Sequence, residues 1–488
     1  MKNKYAEYFL SNNKMLDSNI VNKARIYSNA FHITIANFIF GYTIGVFNTC
    51  QDNVAYSMRW TESEKSLYST LFSTFIPVGA FFGSSVTALM CNKIGRLKTM
   101  LVMDAITILG SILSVFHQNV IFGIGRLVCG VAVGMCLAIS PMYLSEMTPQ
   151  SMMGTVGPLM SLMLSFGLTL SYALAFVLPS DDFSQSINNF WTFMFILPGI
   201  VALYQAIYFS CFIKHDTPLF YLRAKNHEKY IQVLKSFYDL KALPTSEELK
   251  ALECDSNNVK FTDTVTYKQL ICSKTYSKML RIGVILAIFQ QLSGVNAIIY
   301  YSFSIYRIIG LSTLESKIFT MMIGITSILS SLITILLLKY IGRKKLLLWG
   351  HGLLSFDLLL IGLVSQLCPS QVYFLAGLIV IYFMFFTVGL AATLWSYIGE
   401  IQIEKAVSLS TAFNYIMNVF INLVFPFAVA RVGISAVFYF FSVCMIFTVI
   451  YIVFDTIETK NMSKEDIELV LFNGKKSNGH NKIESTSV

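Results

Sequence analysis

The 488-residue chain is 55% hydrophobic and 14% aromatic but only 13% charged, with 36 Lys and Arg against 27 Asp and Glu, a net charge of +9. Its mean hydropathy of +0.62 excludes a soluble globular protein, which could not cover so much apolar surface with so few charges. The cations gather in short clusters between apolar runs, which argues against a nucleic-acid-binding face and matches loops on one side of a membrane.

Residues 1–28 are polar and carry Lys2, Lys4, Lys14, Lys23 and Arg25, with no cleavable signal peptide expected before the first apolar run. A bilayer core of about 30 Å takes about 20 apolar residues as a helix. Runs of that kind lie near 29–50, 68–91, 98–117, 119–142, 154–178 and 190–213. The interval 214–278 is polar, and "EKYIQVLKSFYDLKAL" at 228–243 reads as an amphipathic helix lying at the membrane face or against helix ends. Apolar runs resume near 279–303, 316–338, 345–367, 370–397, 408–430 and 434–455, and the tail 456–488 ends in a stretch that reads as disordered. The sequence thus predicts an all-α membrane protein. Twelve transmembrane helices form two six-helix bundles, 29–213 and 279–455, joined by a cytoplasmic helical linker at 214–278.

The N-terminal tail, the 92–98 loop, the linker, the 339–345 loop and the tail after 455 are basic, whereas the alternate loop 179–189 holds Asp181 and Asp182. Both termini are therefore expected to be cytoplasmic. The halves echo each other: "NKIGRLK" follows the second run and "KYIGRKK" the eighth, and "YLSE" closes the fourth while "YIGE" closes the tenth. Two parallel repeats of this kind build many secondary transporters. The nine cysteines form no C-x-x-C pair and mostly sit in apolar runs, as small buried hydrophobes. No metal cluster, nucleophile elbow or nucleotide-binding loop appears.

"QQLSGVNAIIYYS" at 290–302 interrupts this pattern. Gln290, Gln291, Asn296, Tyr300 and Tyr301 lie in surroundings that reject polar groups unless these find partners. They either bond between helices or line a wet cavity; so many in so short a stretch favour the cavity.

With "FGYTIGVFNT" (40–49), "GRLVCGVAVG" (125–134), "PMYLSEMTP" (141–149), "DTPLFYL" (216–222), "IGRKKLLLWG" (341–350), the stretch Trp395 to Glu400 and "ETK" (458–460), the chain resembles the sugar-porter family of the major facilitator superfamily. It looks closest to the hexose transporters of apicomplexan parasites and the animal facilitative glucose transporters. The resemblance implies the major facilitator fold and facilitated transport of a hexose, D-glucose first, by alternating access in a plasma membrane. It implies no enzyme activity, no cofactor and no metal. The partners are a small sugar and the lipid bilayer, without nucleic acid, for a chain that works as a monomer.

Carried over by motif, Gln290, Gln291, Asn296, Tyr300, Trp395 and Asn414 would bind sugar, with Asn418 as the alternative to Asn414. Amides offer donors and acceptors to a neutral polyhydroxyl ligand, and an indole can cover its C–H face. Arg96, Arg126, Glu146, Arg343 and Glu400 would form the gating ion-pair network that holds the halves together in the outward-open state. Arg126 and Glu146 lie too far apart on one straight helix to meet, so their partners come from neighbouring helices.

Several positions depart from the family pattern. Ser161 and Ser327 stand where an Gln and an Asn usually contact sugar, weakening that contact by about 1–3 kcal/mol. Ala391 and Ala392 replace the Gly and Pro before the tryptophan, which is expected to stiffen the gate. Asn92 and Lys339 replace the usual Asp and Glu of the loop motifs. Thr43 replaces the acid of proton-coupled porters, favouring a uniporter. Asp104 and Asp357 keep proton symport open. Another sugar or polyol such as fructose or inositol, and a non-transporting sensor, are the remaining alternatives.

Overall fold

The computed structural model describes residues 22–179, 188–213, 215–224, 226–235, 267–460 and a few positions from 462 to 471. Residues 236–243 of the expected linker helix, the loop acids Asp181 and Asp182, and most of both tails lie outside the described residues.

Among the described residues, twelve helical spans follow one another. They are α1 (Lys23–Ser57), α2 (Glu62–Ile94), α3 (Arg96–Leu113), α4 (Asn119–Met147), α5 (Leu159–Leu174) and α6 (Phe190–Phe212) in the first half. The second half holds α7, in two pieces (Lys274–Gln291 and Val295–Ile308), α8 (Thr313–Tyr340) and α9 (Arg343–Leu367). It continues with α10 (Val372–Phe386, a π turn Thr387–Ala391, then Ala392–Ile401), α11 (Glu404–Val432) and α12 (Ile434–Asp455). Eleven of these are long and apolar enough to cross a membrane by composition. The other, α3, is short and carries Arg96, Lys98 and Asp104, yet Arg96 and Asp104 are buried against other helices rather than turned to lipid.

The ends of the helices follow local chemistry. Thr61 caps α2 and Ser312 caps α8, each in a capping box with Glu64 or Glu315 that satisfies first-turn N–H groups. The first span begins at Lys23 and so extends into the polar segment that was expected to precede it.

Packing repeats between the halves. In the first, α2 packs on α4, α1 on α5, and α3 on α4 and α6; in the second, α8 packs on α10, α7 on α11, and α9 on α10 and α12. The halves meet along α5–α8, α2–α11 and α1–α7, and one apolar cluster runs across this seam from Ile44, Ile76 and Leu168 to Ile298 and Tyr306. The two bundles are thus built from a repeated packing scheme. The linker helix His227–Leu234 buries Tyr230, Val233 and Leu234 against Met100, Tyr143 and Met147 at the end of the first half.

Candidate substrate site and gates

Helix α7 breaks between Gln291 and Val295. Gly294 takes the left-handed conformation (φ 86°), and a Cβ there would meet the Phe441 ring of α12. Only glycine tolerates both at low cost. The break sets Gln290 and Gln291 at the end of one helical piece and Asn296 in the first turn of the next.

These amides converge with Asn414 of α11. Gln291 Nε2 donates to Asn414 Oδ1 at 2.8 Å, Asn414 Nδ2 donates to Gln290 Oε1 at 3.0 Å and to Ala287 O at 2.8 Å, and Asn296 Nδ2 donates to Gln291 Oε1. All four are buried. In this state the amides satisfy one another, as groups in an apolar interior must. Both sequence alternatives, interhelical bonding and a sugar-lined site, therefore start from the same constellation. Asn414 joins the cluster, whereas Asn418 accepts from Asn422 Nδ2 at 2.6 Å.

The other candidates fall into separate groups. Tyr300 is buried within Coulombic reach of Arg126. Tyr301 donates to Asn422 O at 3.1 Å and stacks on Phe425. Trp395 is half-buried against the Met279–Leu286 cluster, toward the Arg343 end of α10. Ser161 is half-buried; the fifth-span hydroxyl that meets Ser327 is Ser165, one turn further on, at 2.8 Å, with Ser331 at 3.2 Å.

The charged motifs form a matched set of pairs, one in each half. Arg96 binds Glu146 through Nε (3.2 Å) and Nη2 (2.8 Å), and Arg343 binds Glu400 through Nε and Nη2 (both 3.0 Å). Among the described residues each pair closes within its own half. Their geometry repeats. Asp216, after α6, accepts from the Arg96 and Leu97 N–H groups at 3.0 and 3.1 Å, and Glu458, after α12, accepts from Arg343 N–H at 2.9 Å. A carboxylate thus caps the N-terminus of α3 and of α9, where the helix dipole favours it. Burial holds the Asp216 carboxyl above the ordinary pKa, while its backbone donors and Arg96 pull it down.

The copies differ at the second glutamate oxygen. Thr217 donates to Glu146 Oε2 at 2.5 Å, whereas Glu400 Oε2 and Thr459 Oγ1 are buried without protein partners among the described residues.

Arg126 departs from expectation. It makes no ion pair among the described residues; it donates to Thr43 O and Phe72 O, both at 3.3 Å, and lies over the Phe47 and Phe195 rings at 5.3 and 5.7 Å. Backbone carbonyls and aromatic faces replace the missing acid as counter-charge. Asp104 is fully buried, with neither carboxyl oxygen bonded to protein among the described residues.

Besides Ser165–Ser327, direct contacts between the halves come from residues that no motif singled out. Asn48 of α1 bonds Ser302 and the Phe303 N–H of α7, Gln51 donates to Ser304, and Tyr172 of α5 donates to Ile299 O at 3.1 Å. "FGYTIGVFNT" contains Asn48, and an Asn inside an apolar run was the available signal.

Residues 29–471 match the family model described as "Sugar (and other) transporter". The chain belongs to that family. Its transporter relatives include the probable metabolite transport protein CsbC of Bacillus subtilis, 29% identical over 468 residues and covering 93% of this chain and 96% of that one. The facilitated glucose transporter member 3 of Rattus norvegicus is 26% identical, covering 89% and 90%. The galactose-proton symporter of Escherichia coli is 26% identical, covering 93% and 96%. The proton:xylose symporter XylE bound to 6-bromo-6-deoxy-D-glucose superposes with a TM-score of 0.74 at 20% identity, covering 92% of this chain and all of that one. At that identity the likeness establishes the fold alone; the family match and the apolar spans make the chain a multi-pass membrane transporter.

Proposed function

We propose that the transporter is a facilitative hexose carrier, D-glucose first, working by alternating access as a monomer in a plasma membrane with both termini cytoplasmic. Residues 29–213 and 279–455 are its two moving halves, and 214–278 is the cytoplasmic linker. The single observation that carries the reading is the convergence of Gln290, Gln291, Asn296 and Asn414 at the break in α7. A neutral ring of hydroxyls exchanges bonds with such amides one for one, and no fixed charge in the cluster calls for an ion. Tyr300, Trp395, Ser327 and Ser161 complete the proposed wall.

Uniport follows from Thr43, whose backbone rather than a carboxylate holds Arg126. Glucose and galactose carriers among the relatives include both a facilitated and a proton-coupled member, so symport is the second reading, with the buried Asp104 as its residue. The ion pairs Arg96–Glu146 and Arg343–Glu400 fix the ends of α3, α4, α9 and α10 so that each half moves as a body.

The test is uptake of labelled hexoses into cells lacking their own carriers, with and without a proton gradient. Saturable D-glucose uptake that survives an uncoupler is expected; uptake that collapses with the gradient would replace uniport by symport. Saturable uptake of D-fructose or inositol without glucose competition would replace the substrate.

A further inference from the structure

A broken helix exposes backbone groups that a continuous one satisfies, and in an apolar interior each must find a partner. At the α7 break the accounting is specific. Leu292 N–H donates to Ile288 O at 3.1 Å, Gly294 N–H donates to Gln291 O at 3.0 Å, and Ser293 Oγ donates to Gln290 O at 2.6 Å. The carbonyl of Ser293 itself, inside the break, is satisfied from another helix. Tyr382 of α10 donates its phenol to Ser293 O at 2.9 Å and lies 3.3 Å from Ser293 Oγ. Both residues are fully buried. A hydroxyl chain thus runs from Tyr382 through Ser293 to the backbone of Gln290.

We propose that Tyr382 is a positioning residue for substrate: it holds the α7 break at the angle that aims Gln290 and Gln291 into the sugar site, without touching sugar itself. The proposal rests on the reading of those amides as sugar ligands. Its physical basis is that one phenol supplies the donor for the break's own carbonyl. On the other side of the break the Phe441 ring packs against Gly294. Loss of the phenol oxygen leaves a buried carbonyl unpaired. The break then relaxes by twisting, which moves amides whose bonds to sugar tolerate only a few tenths of an ångström.

The experiment is uptake kinetics of labelled D-glucose, or D-fructose if that is what wild type takes up, for the full chain carrying Tyr382→Phe, Gln290→Ala, or both. Tyr382→Phe is expected to raise KM roughly tenfold and to affect kcat much less, and its effect on KM should shrink when Gln290→Ala is already present. A purely structural role would lower the amount of folded carrier and leave KM in place. An unchanged KM in Tyr382→Phe beside a raised KM in Gln290→Ala overturns the positioning role and leaves the sugar site standing. An unchanged KM in Gln290→Ala overturns both. Should Tyr382→Phe fail to accumulate, Ser293→Ala removes the next link of the same chain. The same rise in KM supports the proposal, and wild-type KM in that variant overturns it.

Discussion

Asn48 of α1 donates to Ser302 Oγ of α7 at 2.7 Å and accepts from the Phe303 N–H at 3.1 Å, so one side chain joins the two halves twice. Tyr172 adds a bond to Ile299 O, the carbonyl one helical turn before Phe303. This end of the seam, opposite the paired arginines, is closed by polar contacts and by the Lys317 ammonium of α8, which donates to Leu178 O.

Opening that end requires these bonds to break. Asn48→Ala is therefore expected to weaken the closed arrangement by about 1–3 kcal/mol, enough to raise the open-to-closed ratio about tenfold or more. Spin-label distances measured across the Asn48 ends of α1 and α7 should shift toward longer values. Distributions identical to wild type would show that Asn48 does not hold the gate.

The two arginine–glutamate pairs differ in burial. The Arg96 and Glu146 side chains are 2% and 9% exposed, those of Arg343 and Glu400 24% and 27%. Removing one partner of a buried pair strands a charge and costs about 3–5 kcal/mol, whereas a half-exposed pair contributes about 0–1 kcal/mol. Glu146→Gln should thus lower the melting temperature of the purified carrier clearly more than Glu400→Gln. Equal losses would mean that burial does not govern these sites.

Gly294 faces two demands at once. An alanine there has a left-handed backbone costing about 1–2 kcal/mol and drives its Cβ into Phe441. Gly294→Ala is expected to abolish saturable uptake while protein still reaches the membrane. Adding Phe441→Ala should restore part of the uptake, because it relieves the contact but not the backbone. No restoration would place the whole cost in the backbone.

Much of this molecule was legible in its sequence because lipid imposes simple rules. Apolar run length gave the spans, since a helix must cross a fixed thickness. The amides of "QQLSGVNAIIYYS" stood out because lipid rejects unpaired polar groups, and the structure brings three of them together with Asn414. The arginine–glutamate pairs were visible as motifs, but not as pairs within each half, because loop spacing does not say which helix ends are neighbours. Ser165, which meets Ser327 across the seam, was not legible because the packing of two halves sets its own register. The loss of Gly and Pro before Trp395 suggested a stiff tenth span. The structure departs from α geometry at the π turn Thr387–Ala391, where Gly389 packs directly on Gly350 of α9. That close approach depends on two glycines on different helices, which neither segment reveals alone.

The most direct measurement is a structure of the carrier with D-glucose bound. Sugar hydroxyls are expected within hydrogen-bond distance of Gln290, Gln291 and Asn296, with the Gln291–Asn414 bond given up or shared. Sugar bound elsewhere, with the four amides still paired only to one another, would contradict that expectation.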